Sequence, residues 1–211
     1  MKNHQKKLNR RSFLEHSAKI TAAGILMSRL PAASKKLIKI EGEIKVALVG
    51  CGGRGTGAAA QALAADPDVR LVAMADVFVD RAEECFSSLS EKNEHSDRLS
   101  VNEETVFIGF DAYKKAIDMA DVVILTTPPA FRPVHFQYAI MKNKHVFMEK
   151  PVATDVAGIK QVLAAGKTAR QKKLNVVVGL QRHYQRNYRS IKKLIDRKRI
   201  GNIVSGQVYW N

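Results

Sequence analysis

Residues 44–55 read Ile-Lys-Val-Ala-Leu-Val-Gly-Cys-Gly-Gly-Arg-Gly. Ile44–Val49 is a short, β-branched, apolar run that stops at a cluster of glycines, the pattern of a strand buried on both faces. The cluster Gly50-Cys51-Gly52-Gly53-Arg54-Gly55 contains G-x-G-x-x-G. In such a loop the first glycine permits a tight turn, and the second lets the backbone approach a pyrophosphate. The third lets the following helix pack close to the strand. That helix is the Ala-rich stretch Ala58–Ala65, closed by Asp66-Pro67. Its N-terminus offers N–H groups to a phosphate. A second apolar run, Val69–Ala75, ends at Asp76, 26 residues after Gly50. A carboxylate there accepts hydrogen bonds from both ribose hydroxyls and repels a 2′-phosphate, which favours NAD over NADP. The bland alternative is a glycine turn with a helix-capping aspartate. Cys51 has no evident base nearby and reads as a small spacer.

Beyond Asp76, apolar runs continue to alternate with helical patterns. Phe78–Ser90 reads as a polar helix and residues 91–105 as a loop. Val106–Phe110 reads as a short strand, followed by a helix over Ala112–Met119. Asp121–Thr126 is a strand stopped by Pro128-Pro129, and Pro133–Lys142 a helix. His145–Met148 is a strand, Asp155–Gln171 a helix, and Asn175–Leu180 a strand. Tyr188, Ile191, Leu194 and Ile195 mark one face of a last helix. Strand and helix repeated about six times, with fully apolar strands, implies an α/β fold. The sheet is parallel and doubly wound, with helices on both faces. Ligands on such sheets bind at the carboxyl ends of the strands. After the fourth strand come Thr126, Thr127 and Pro128, with His135 on the next helix. The threonine hydroxyls can bond ribose or phosphate, although plain helix initiation explains each residue equally well. After the fifth strand come Glu149, Lys150 and Pro151. An ammonium there can hydrogen-bond a substrate hydroxyl and stabilise an alkoxide developing on it. Pro151 biases Lys150 towards an extended backbone. Taken alone, Glu-Lys-Pro at a strand end also reads as a solvated pair.

Together, the glycine loop, Asp76, Thr-Pro-Pro, and His145-Val-Phe-Met-Glu-Lys-Pro151 resemble the glucose–fructose oxidoreductase / inositol dehydrogenase (Gfo/Idh/MocA) family. Val176-Val-Val-Gly-Leu-Gln-Arg-His183 looks like that family's sixth strand and substrate-side loop. The resemblance covers residues 42–211. It implies a Rossmann-type NAD(P)-binding domain with Lys150 as the catalytic lysine. It also implies cofactor contacts from Gly50, Cys51, Gly52, Gly53, Arg54, Gly55, Asp76, Thr126, Thr127, Pro128, His135, Glu149, Lys150 and Gln181, and substrate contacts from Arg182 and His183. No metal site is implied. Members carry a second, mostly antiparallel β domain that completes the substrate cleft and supplies a second catalytic residue, usually a histidine. Here Ile203–Tyr209 alternates like that domain's first strand before Trp210-Asn211, so a truncated protein or fragment is expected. Neither His135 nor His183 matches the missing histidine. The implied activity is NAD-dependent oxidation of a sugar, polyol or sugar derivative, in a homo-oligomer when full length. Two alternatives are an exported glycosidase that oxidises its sugar transiently with NAD, and an NAD-binding chain without catalysis.

The 211 residues are 45% hydrophobic and carry 35 Lys+Arg against 20 Asp+Glu, which excludes a disordered or fibrous chain. Two cysteines exclude a disulfide-built scaffold. The excess of positive charge lies at the two ends. Residues 1–40 hold ten basic residues and one acid, Glu15; residues 41–166 hold 13 basic and 18 acidic; residues 167–211 hold 12 basic and one acid, Asp196. A uniformly basic nucleic-acid binder is therefore excluded. The late basic residues read as solvated helix surface. At the start, Lys6, Lys7, Arg10 and Arg11 precede Phe13-Leu14 and a short apolar run, Ile20–Met27. That run is far below the roughly 20 residues that a membrane-spanning helix needs. The sequence Asn9-Arg10-Arg11-Ser12-Phe13-Leu14 resembles the twin-arginine export motif. Small residues at Ala32-Ala33 suit cleavage, while Arg29 departs from that pattern, and an uncleaved segment would serve as an anchor. The expected organisation is a signal over 1–33, a linker over 34–42, the nucleotide domain over 43–200 and a first strand of a further domain over 201–211. The expected location is periplasmic, reached through the twin-arginine machinery.

Overall fold

The computed structural model describes residues 42–209 apart from Lys92. The signal segment and almost all of the linker lie outside the described residues. Six strands form one sheet: β1 (Ile44–Val49), β2 (Val69–Asp76), β3 (Val106–Ile108), β4 (Val122–Leu125), β5 (His145–Met148) and β6 (Val176–Val178). Their order is β3-β2-β1-β4-β5-β6, and every pairing is parallel. Strand order therefore reverses between β1 and its neighbour β4, which opens a crevice beyond their carboxyl ends.

Helices cover both faces. On one side α1 (Gly53–Ala65) and α2 (Val79–Glu91) bury Ala58, Ala59, Leu63, Ala82, Cys85 and Leu89 against Val46, Leu48 and Met74. On the other, α3 (Ala112–Met119), α4 (Arg132–Met141) and α5 (Val156–Gln171) bury Ala116, Ile117, Phe136, Ile140, Ala165 and Ala169 against Ala47, Val123 and Val146. Sandwiched in this way, the buried stretches 46–49 and 71–75 are wholly apolar, with Lys45 and Arg70 placed near the strand starts where exposure remains. Asp155 caps α5 by accepting from the Gly158 backbone N–H at 2.6 Å, and Pro133 sits in the first turn of α4. Beyond β6 follow α6 (Gln181–Tyr184) and α7 (Arg186–Asp196).

Three local expectations shift. Helix α1 begins at Gly53 rather than Ala58, since the glycines themselves form its first turn. Two short 3₁₀ turns, Ser96–Arg98 and Glu103–Thr105, occupy the expected loop over 91–105. Ile203–Tyr209 forms no strand. A strand needs a neighbour for its backbone groups, and the described residues pair none with it. Among the described residues no helix is long and apolar enough to cross a membrane.

Candidate functional site

At the carboxyl ends of β1, β2, β4 and β5 lies a cleft of about 1050 Å³. It is built first by the glycine loop. Gly50 takes φ +99°, and a Cβ there would fall 2.5 Å from the Thr127 backbone nitrogen; a Cβ on Gly55 would fall 1.9 Å from the Gly50 carbonyl oxygen. Gly52 and Gly53 instead face open space, with nothing within 4 Å of a built Cβ. The α1 N-terminus carries no side-chain cap and no acidic residue in its first turn. An uncapped helix end over glycines that leave room is the shape a diphosphate requires.

Asp76 ties this loop to the next. Its Oδ2 accepts from the Cys51 N–H at 2.6 Å and its Oδ1 from the Phe78 N–H at 3.1 Å. A carboxylate oxygen accepts more than one bond, so Asp76 can brace the loop and receive ribose hydroxyls as well. Thr126 works from underneath: its hydroxyl donates to the Gly50 carbonyl at 2.6 Å. Beside it, Thr127 Oγ1 pairs with His135 Nδ1 at 3.2 Å. His135 is buried and stacks on Tyr113 with ring centroids 4.2 Å apart. Burial, with the nearby Arg132 charge, pushes its pKa down to about 4, so the ring is neutral near pH 7. Cys51 is buried, and the adjoining Cys85 thiol together with burial holds its own thiol well above the usual range. A thiol kept neutral is no nucleophile, in keeping with a spacer.

The β5 end supplies Glu149 and Lys150. Lys150 lies exposed in the cleft, and its bond to Pro151 is cis. Glu149 is buried and receives Arg54 Nε at 2.8 Å and Nη2 at 2.5 Å, both on Oε1. Gly179 makes room for it: a Cβ there would lie 2.8 Å from the Glu149 carboxyl carbon. Of the residues expected at the site, Gly50, Gly52, Gly53, Arg54, Asp76, Thr126, Thr127, Pro128, His135, Glu149, Lys150 and Gln181 line the cleft. Cys51 and Gly55 lie buried beneath it. Arg182 and His183 are exposed on α6 outside the lining, with Arg182 donating to the Tyr188 hydroxyl at 2.7 Å.

Two features escaped the sequence reading. One is an aromatic wall of Phe78, Phe110, Tyr113 and Phe131; Phe78, Phe110 and Phe131 each follow a strand by a few residues, so a full census of post-strand positions finds them. The other is Arg132, only 1% exposed, which donates to the Thr127 and Glu149 carbonyls. No pattern in the sequence distinguishes it from a solvated arginine at a helix start.

Residues 44–180 match the family model GFO_IDH_MocA, "Oxidoreductase family, NAD-binding Rossmann fold". The chain belongs to this family. Inositol 2-dehydrogenase of Azotobacter vinelandii is 41% identical over 101 residues, covering 44% of this chain and 29% of that protein. A glycosyl hydrolase family 109 protein of Streptomyces coelicolor is 26% identical over 167 residues, covering 77% of this chain and 33% of that protein. Among solved structures, scyllo-inositol dehydrogenase from Lactobacillus casei with bound NAD(H) and scyllo-inositol superposes with a TM-score of 0.59 at 26% identity, covering 76% of this chain and 43% of that one. The chain thus spans less than half the length of these relatives. Its glycine loop, uncapped helix end and Asp76 fit the NAD that the family's domain binds.

Proposed function

We propose that this chain is the cofactor-binding half of an NAD-dependent dehydrogenase acting on a polyol or sugar hydroxyl. The observation that carries this reading is the meeting of glycine loop, Asp76 and Lys150 around one cleft, although they come from three separate strand ends. When bound, NAD supplies a hydride acceptor at its nicotinamide ring. The N-terminal N–H groups of α1 hold the diphosphate, and Asp76 accepts from ribose hydroxyls. Phe78, Phe110 and Phe131 offer apolar ring surface along the adjoining wall. The Lys150 amine accepts the proton of the substrate hydroxyl as the hydride leaves carbon for the nicotinamide, and the ammonium so formed hydrogen-bonds the carbonyl oxygen that results. The inositol dehydrogenases among the relatives favour a cyclic polyol as substrate. The test is NADH formation by the chain with a panel of inositols and aldoses, beside a direct titration with NAD. NAD binding with no NADH from any substrate would leave a binding chain without catalysis.

A second reading rests on the family 109 relative, whose match covers more of this chain than the inositol dehydrogenase match does. A glycosidase using NAD transiently would release sugar from a glycoside without net NADH. We also infer export through the twin-arginine machinery, from Asn9–Leu14 and the short apolar run after it. Replacing Arg10 and Arg11 together by lysine should retain the protein in the cytoplasm of expressing cells, and unchanged fractionation would refute the inference.

A further inference from the structure

Arg54 and Glu149 form an ion pair across 95 positions of sequence, and its two members are held very differently. Glu149 is fixed on every side: its side chain is 10% exposed, its N–H donates to the Leu125 carbonyl, its own carbonyl accepts from Arg132, and its carboxyl rests on Gly179. The Arg54 side chain is 53% exposed and is anchored only where its backbone enters the first turn of α1. If the pair opens, Arg54 moves and Glu149 stays. The arginine backbone sits beside Gly53, in the turn where a diphosphate docks, and its guanidinium currently spans to the β5 end.

A diphosphate bears two charges against one on the carboxylate. It also offers several oxygens to the fork of guanidinium donors, whereas Glu149 presents only Oε1 to them. We propose that Arg54 exchanges partners: it pairs with Glu149 in the cofactor-free chain and turns onto the diphosphate when a dinucleotide binds, releasing the Glu149 carboxylate beside Lys150. Glu149 then acts as a competitor for the arginine, and dinucleotide binding completes the charge arrangement at the β5 end before a substrate arrives. This rests on the dinucleotide reading of the cleft.

The experiment is calorimetric titration of the full chain with ADP, which carries the diphosphate but no nicotinamide half, and with adenosine, which carries no phosphate. R54Q should weaken ADP roughly five- to twenty-fold, as expected for a charge-assisted bond at a half-exposed site, and leave adenosine unchanged. E149Q should tighten ADP about three- to tenfold by freeing the arginine. In the R54Q background, E149Q should then change nothing. Equal tightening by E149Q with and without Arg54 would mean simple repulsion between carboxylate and phosphate and would overturn the exchange, as would an R54Q variant that binds ADP normally. If E149Q does not fold, the Arg54 Nε–H resonance, assigned by its loss in R54Q, takes its place. ADP should move it and adenosine should not, and a resonance unmoved by ADP overturns the proposal. A wild-type chain that binds neither ADP nor NAD defeats the dinucleotide reading itself, and the exchange with it.

Discussion

Two glycines in the same helix should respond in opposite ways to the same substitution. Gly55 and Gly57 both lie in α1, and replacing a helical glycine by alanine ordinarily stabilises by about 0.5–1 kcal/mol through the unfolded chain. At Gly57 nothing lies within 4 Å of the added methyl, so Gly57→Ala should realise that gain. At Gly55 the methyl would fall 1.9 Å from the Gly50 carbonyl oxygen, 3.0 Å from its carbon and 2.9 Å from Thr126 Oγ1. Two of these are backbone atoms of a loop pinned by Thr126 and Asp76, so no flexible side chain can swing aside. Overpacking of that kind costs about 1–3 kcal/mol, and here it has to exceed the propensity gain before any loss is seen. Gly55→Ala should therefore be less stable than wild type by about 1–2 kcal/mol, and less stable than Gly57→Ala by about 1.5–3 kcal/mol. Equilibrium urea unfolding of the three chains measures both differences, and titration with NAD should show a weakened site in Gly55→Ala alone. A Gly55→Ala chain as stable as Gly57→Ala would refute the steric argument and, with it, the tight loop.

Arg132→Met should lower stability by about 2–4 kcal/mol, because the buried Glu149 carbonyl and the half-buried Thr127 carbonyl lose the guanidinium that donates to them; an unshifted urea midpoint would contradict the bonds from Arg132 to Thr127 and Glu149. Lys150→Ala should keep NAD affinity within about threefold while lowering NADH formation from a polyol substrate by about 10²–10⁴-fold, and unimpaired turnover would remove Lys150 from the reaction. His135 titrates near 4 in the folded chain because burial disfavours its charged form, whereas an exposed histidine titrates near 6.5. The unfolded chain therefore binds the extra proton first, and stability falls as pH drops from about 6.5 to about 4, by about 3 kcal/mol over the window. His135→Gln should flatten that part of the pH–stability curve, and a variant that tracks wild type would place the acid sensitivity elsewhere.

The alternation of strands and helices was legible because the sandwiched middles of the strands are apolar, with Lys45 and Arg70 confined to strand starts, so each announces itself as an apolar run. The glycine loop was legible for a related reason: Gly50 and Gly55 are positions where a methyl collides with backbone, and only glycine satisfies them. The helix start was misplaced because Gly52 and Gly53, poor helix formers, are recruited there by the loop rather than by propensity. Ile203–Tyr209 has a strand's alternation without a strand's neighbour, and pairing is a property of two segments. Arg54 with Glu149, and Arg132 with the carbonyls of Thr127 and Glu149, depend on which strand ends come to lie side by side. A single sequence does not show that β4 separates β1 from β5, so it does not show that an arginine after the first strand can reach a glutamate after the fifth.

Asp76 carries a consequence for anyone redesigning this domain to use a phosphorylated dinucleotide. The obvious change is to remove its charge, yet the same carboxylate receives the Cys51 N–H and the Phe78 N–H. Truncation to alanine would alter selectivity and loosen the architecture in one stroke, and the two effects would be confounded in any affinity measurement. Asparagine keeps one of the two acceptor oxygens while discarding the charge. Retuning is therefore best begun with that substitution, with a compensating change near Arg81 on the same rim of the cleft and the glycines left untouched.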